Sequence, residues 1–99
     1  MLAATAEAQR RIIGERTLLQ RRRVKIAQRA LSARLGWGPN RVGQVERAEV
    51  DLDLFELYAL ASALGCTVEY LLGLTDAPAN SDTAWLEDSP SDLPFEVAA

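Results

Sequence analysis

From residue 3 to residue 22 the chain has no proline and one glycine, and Ile12, Ile13, Leu18 and Leu19 supply an apolar side among charged neighbours, so the pattern predicts a helix. Leu31 and Leu35 stand four apart with Gly36 after them, which predicts a short second helix over 28–35 and a stop. Gly38 suits a helix cap and Pro39 a first helical position. A third helix is therefore predicted from Pro39 to about Arg47, with Val42 and Val45 facing inward. Asp53 and Glu56 have the spacing of a capping box, and Leu54, Leu57, Leu60, Ala61 and Leu64 form the stripe of a fourth helix that Gly65 ends. Thr67 caps a fifth, whose apolar positions are Val68, Leu71 and Leu72. After Gly73 the periodicity stops. Residues 75–99 hold Pro78, Pro90 and Pro94, six acidic and no basic residues, and scattered Trp85, Leu86, Leu93 and Phe95, the composition of a largely extended acidic tail. The expected fold is all-α with five helices: an N-terminal helical extension (1–11), a helical domain (12–74) and the acidic tail (75–99).

Composition narrows what such a domain can do. Ninety-nine residues, 48% of them hydrophobic, suit one core. No stretch approaches the roughly 20 apolar residues that cross a bilayer, and polar Thr5, Glu7, Gln9 and Arg10 stand where a secretion signal would be apolar, so the expectation is a cytoplasmic protein with no membrane contact. Cys66 is the only cysteine and histidine is absent, which excludes an intrachain disulfide, a Cys-rich zinc site and His-based acid/base catalysis. No enzyme, metal or cofactor is expected. Cys66 follows Gly65 at an apolar position and reads as a packed thiol rather than a redox switch.

The net charge of −3 conceals a complete segregation. Residues 1–49 carry all eleven basic side chains and four acidic ones, whereas residues 50–99 carry ten acidic side chains and no basic one. The first half is thus suited to a polyanion. Within it, two short helices joined by a glycine-containing turn, the second opening with polar side chains, form a unit that fits a groove about 12 Å wide. Gln28, Leu31, Ser32, Leu35, Gly36, Val42, Val45 and Glu46 each meet a separate packing demand of that unit.

Over roughly residues 12–74 the segments IGER, AQRALSARLG, VGQVER and LYALASALGCTVEYLLG resemble the XRE-type helix-turn-helix family, which includes the lambdoid phage repressors and Cro proteins. The resemblance implies a lambda-repressor-like DNA-binding domain with Pro39–Glu46 as recognition helix. It implies that Gln28 holds a DNA phosphate, that Asn40, Arg41 and Gln44 read base edges, and that Gly38, Pro39 and Arg47 complete the contact set. Arg21 and Glu46 would form an interior ion pair, and Tyr70, Leu71, Leu72 and Leu74 would dimerise. The chemistry agrees, since Gln and Asn amides bond bidentately to adenine and Arg to guanine.

The sequence departs from the family pattern in places. Gly38 replaces the usual Ser or Thr cap, and Thr17 and Gln20 stand at positions often aliphatic. Gly43 costs about 1 kcal/mol against Ala inside a helix and would allow close approach to the sugar-phosphate backbone. Glu49, Asp51 and Asp53 would repel phosphate. The run Arg21, Arg22, Arg23 and Lys25 reads either as a phosphate-facing cluster or as a solvated helix end, and Trp37 as core cover. The resulting expectation is a sequence-specific regulator, a repressor that binds a two-fold operator in double-stranded DNA as a homodimer. Alternatives are an antitoxin-type autoregulator whose tail wraps a toxin, and a protein-interaction module with weak DNA binding. The tail is expected to compete with DNA for the basic half, to dock through Trp85, Leu86 and Phe95, or to offer Val97, Ala98 and Ala99 to a protease.

Overall fold

Thr5 opens the first helix, α1 (Ala6–Val24), by accepting the Ala8 N–H at 3.0 Å through Oγ1. The computed structural model describes residues 5–78; the tail positions Trp85, Leu86, Leu93, Phe95 and Val97 to Ala99 lie outside the described residues. Four further helices follow: α2 (Gln28–Arg34), α3 (Arg41–Glu46), α4 (Leu54–Leu64) and α5 (Val68–Leu71). Helix α1 runs without a break through position 11, where the sequence suggested an extension, and Gln9 Nε2 donates to the Leu72 carbonyl at 3.1 Å. At the other end the fold reaches past Leu74. Arg16 donates to the Thr75 carbonyl and to Asp76, and the Pro78 carbonyl accepts the Thr67 N–H at 3.0 Å.

The core gathers one face of every helix: Ile13, Leu31, Val42, Val45, Leu57, Leu60, Ala61, Leu64, Tyr70 and Leu71 are buried. Asp53 and Glu56 form the reciprocal capping box of α4, and Thr67 caps α5. Gly36 adopts φ +73 in the turn between α2 and α3, a region that strains any residue with a Cβ. Three expected features take another form. Helix α3 starts at Arg41 rather than Pro39, because Pro39 and Asn40 form a turn in which the Gly38 carbonyl accepts the Arg41 N–H at 3.1 Å. Leu54 belongs to the α4 stripe by spacing but is 59% exposed, one turn ahead of where α4 meets the core. Tyr70 and Leu71 are 2% and 0% exposed, so both are filled into this chain's own core and only half-buried Leu72 and exposed Leu74 of that group reach the surface.

Helix α1 crosses α3 more closely than side chains permit. A Cβ added to Gly14 would stand 2.5 Å from the Val45 carbonyl oxygen and 2.8 Å from that of Glu46. Polar side chains fill the rest of the α1 face: Gln20 Nε2 donates to the Leu64 carbonyl at 3.0 Å, tying α1 to the end of α4, while the Thr17 hydroxyl is buried without a partner. Farther along α1, Arg21 Nε donates to Glu46 Oε2 at 2.6 Å and Nη2 to Oε1 at 3.3 Å, and Nη1 reaches the Ile26 carbonyl at 3.0 Å. Gln28 Nε2 adds a bond to Glu46 Oε1 at 2.7 Å. The side chains of Arg21 and Glu46 are 15% and 6% exposed.

Three outcomes follow from this packing. Gly14→Ala drives a methyl group into the α3 backbone and should cost about 3 kcal/mol in urea unfolding, at the upper end of overpacking effects; wild-type stability would show that the helices separate freely. Glu46→Ala leaves Arg21 desolvated without its anion and should cost about 3 kcal/mol as well; an unchanged melting temperature would contradict the buried pair. Cys66 is half-buried, and burial pushes its thiol from the ordinary 9.0 up to about 11, with Arg23 pulling weakly the other way. The folded thiol therefore holds its proton to higher pH than the unfolded one. Its contribution is intact below pH 9.0 and is lost as pH rises toward about 11. Iodoacetamide at pH 9 should alkylate the folded chain on the order of fifty-fold more slowly than the urea-unfolded chain; equal rates would contradict the shift.

Candidate nucleic-acid interface

Helix α3 is short, and its residues are sorted around it by what holds each side. Val42 and Val45 enter the core, Ser32 of α2 accepts the Val42 N–H through Oγ at 3.2 Å, and Glu46 points to α1 and α2. At about 100° per residue, Asn40, Gln44 and Arg47 then fall on the opposite side. Asn40 and Arg47 are exposed and Gln44 half-buried, with Gly38 and Pro39 exposed in the turn just before them. Arg41 sits on a flank instead, where Nη2 donates to Glu56 Oε2 at 2.9 Å and the guanidinium lies 5.3 Å from the centroid of the Trp37 ring.

The neighbouring helix supplies a second group. Gln28 at the start of α2 is half-buried, with Nε2 turned to Glu46 and Oε1 only 3.3 Å from the place where a Gly43 Cβ would stand. Arg47 Nη1 would lie 3.1 Å from that same Cβ. The space that glycine leaves in α3 is thus occupied by the chain's own Gln28 and Arg47.

The acidic loop after α3 does not present bare carboxylates. Glu49 accepts from Arg47 Nε at 2.8 Å, Asp51 from Arg10 Nη1 at 2.8 Å, and Asp53 caps α4. The hydrogen bond from Arg47 holds the Glu49 carboxyl below its usual range, and the same bond raises Arg47 further. Two of the three carboxylates expected to repel phosphate, Glu49 and Asp51, are thus offset by arginines, and Asp53 is engaged by the start of α4. The basic run at the end of α1 divides in two. Arg21 turns inward to Glu46, whereas Arg22, Arg23 and Lys25, with Arg29 and Arg34 of α2, are exposed and have no acidic partner among the described residues.

Sequence reasoning missed Gly14, Glu56 as the partner of Arg41, and the Arg10–Asp51 link. The capping box already marked Glu56, but its second oxygen had no local signal. Among the described residues, no group of acidic, Cys or His side chains could hold a metal, and no helix is long and apolar enough to cross a membrane.

The comparisons with known proteins agree with this architecture. The chain is 38% identical over 61 residues to repressor protein C2 of Salmonella phage P22, a match that spans 62% of this chain and 28% of the repressor. Among solved structures, the hypothetical transcription factor NHTF from Neisseria superposes with a TM-score of 0.63 at 25% identity, covering 73% of this chain and 82% of that one. The P22 c2 repressor in complex with a synthetic operator superposes with a TM-score of 0.57 at 38% identity, covering 61% and 91%. The helix-turn-helix family profile matches residues 19–71, more than half the chain and all of α2 and α3. The chain belongs to the XRE-type helix-turn-helix family.

Proposed function

We propose that this protein is a sequence-specific, non-enzymatic DNA-binding regulator that acts in the cytoplasm and represses transcription by occupying operator DNA. The observation that carries the reading is the row Asn40, Gln44 and Arg47, aimed outward from a helix whose opposite side is locked by Val42, Val45 and Glu46. A side chain reads bases only if its backbone is held still, and this one is. Asn40 and Gln44 offer amides to base edges in the major groove, Arg47 reaches base or backbone, and exposed Gly38 and Pro39 let the turn come near a strand. Gln28 and the five cations without an acidic partner among the described residues, Arg22, Arg23, Lys25, Arg29 and Arg34, supply phosphate contacts. The P22 c2 repressor, similar over this region, is seen in complex with a synthetic operator.

A two-fold operator calls for a homodimer. With Tyr70 and Leu71 committed to the core, such a dimer would use Leu72 and Leu74 together with exposed Leu54, Phe55 and Tyr58 of α4. The same apolar surface favours a second reading, in which a protein partner occupies it and DNA binding is subsidiary. Selection of bound fragments from genomic DNA, followed by titration of the enriched site and of random duplex, separates the two. Gln44→Ala should weaken binding to the enriched site by about 1–3 kcal/mol and leave random duplex nearly unchanged. Equal losses on both, or no enrichment at all, would remove the base-reading role.

A further inference from the structure

Arg41 opens α3, yet its guanidinium leaves the outward row. Nη2 donates to Glu56 Oε2 at 2.9 Å, and the Trp37 ring lies under the guanidinium at 5.3 Å. Glu56 is itself a fixed acceptor. Its Oε1 accepts the Asp53 N–H at 3.0 Å while Asp53 Oδ1 accepts the Glu56 N–H at 2.8 Å, so the α4 cap sets the carboxylate independently of Arg41. The two side chains are 31% and 29% exposed, against 58% and 49% for Arg47 and Glu49, and the more sheltered pair is the less screened by water and salt. The hold is nonetheless incomplete. Arg41 Nε is buried without a hydrogen-bond partner among the described residues, and Arg41 is the first residue of α3, at its positive end. A phosphodiester, whose two non-bridging oxygens share one negative charge and suit a forked donor, is the chemistry that would compete with this arrangement.

We propose that Glu56 is a positioning residue for DNA discrimination: it keeps Arg41 on the α4 side and away from the phosphates of non-cognate DNA. The inference rests on the DNA-binding reading above. Base contacts separate a site from its competitors only if sequence-independent phosphate contacts are limited, since each one strengthens every duplex alike. Glu56 limits them by one. Arg41 is then a cation in reserve rather than a permanent member of the reading row.

The test uses the full chain and a random-sequence duplex, with affinity measured across a range of salt. Glu56→Gln keeps an amide oxygen for the Asp53 N–H and removes the charge that holds Arg41. It should bind random duplex more tightly at low salt, with a slope of log affinity against log salt steeper by about 0.9, the release accompanying one new phosphate contact. Arg41→Gln alone should keep the wild-type slope, and combining the two substitutions should restore it. A merely structural role for Glu56 would alter stability but leave the slope where it was. Identical slopes for wild type and Glu56→Gln overturn the proposal, as does a flatter slope in Arg41→Gln, which would mean that Arg41 already contacts phosphate; this second variant leaves the cap untouched. A wild-type chain with no affinity for any duplex would overturn the DNA-binding reading and this inference together, whereas failure of the slope comparison alone leaves that reading standing.

Discussion

The Glu46 carboxylate is where three helices meet, and the geometry of the outward row depends on it. Two of its bonds come from Arg21 on α1 and one from Gln28 on α2, while its own backbone ends α3. Such a node is costly to desolvate and worthwhile only when every polar atom finds a partner. Arginine meets that condition because its fork spans both carboxylate oxygens and still has Nη1 for the Ile26 carbonyl, which fixes the corner between α1 and α2. A lysine would supply the charge without the fork. Gly14 is the steric counterpart of the node, since only a residue without a Cβ lets the α3 carbonyls come close enough for α1 to present Arg21.

Charge is distributed by the same logic of local pairing. The overall balance is acidic, but three of the four acidic side chains from Glu49 to Glu56 are each bonded to an arginine: Glu49 to Arg47, Asp51 to Arg10 and Glu56 to Arg41. Over a Debye length of about 8 Å such pairs nearly cancel, which leaves Asp53 as the loop carboxylate whose charge no arginine offsets among the described residues. What remains among the described residues is the set without an acidic partner, Arg22, Arg23, Lys25, Arg29 and Arg34, at the end of α1 and along α2. Cations without an acidic partner among the described residues thus cluster at the end of α1 and along α2, whereas Arg10, Arg41 and Arg47 are each held by a carboxylate. This asymmetry follows from the pairing and is invisible in the net charge.

The features legible in the sequence were those whose cause is local. The capping box of α4, the Thr67 cap of α5, the glycine stops and the inward pair Val42 and Val45 each depend on residues within a turn or two, and the structure has them where spacing put them. Arg41–Glu56 and Arg10–Asp51 join positions 15 and 41 residues apart, and no periodicity relates them. Gly14 carries no local signal of its role, because the reason for it lies in the backbone of another helix. Gln20 looked misplaced on an apolar face until α4 supplied the Leu64 carbonyl for it. At Tyr70 and Leu71, apolar spacing does not distinguish a core that closes within one chain from one that closes between two, and burial of both side chains within this chain is what the fold adds.

The same pairing logic decides what Gln28 can do for DNA. Its amide has two N–H donors and one acceptor oxygen, and Glu46, an ionised carboxylate, can only accept, so the nitrogen must face Glu46 and the oxygen must face Gly43. One N–H is consumed there. In the DNA-bound state proposed above, the second would be the one to meet a phosphate oxygen, and Gln28 would then bridge the interior node and the DNA backbone. A bridge transmits position: α1 holds Glu46, Glu46 holds the amide, and the amide aims its remaining hydrogen. Gly43 belongs to that chain of constraints, because any larger residue would press on the Gln28 oxygen and on Arg47 from the α3 side. The helix propensity lost at Gly43 is thus the cost of giving Gln28 its fixed orientation.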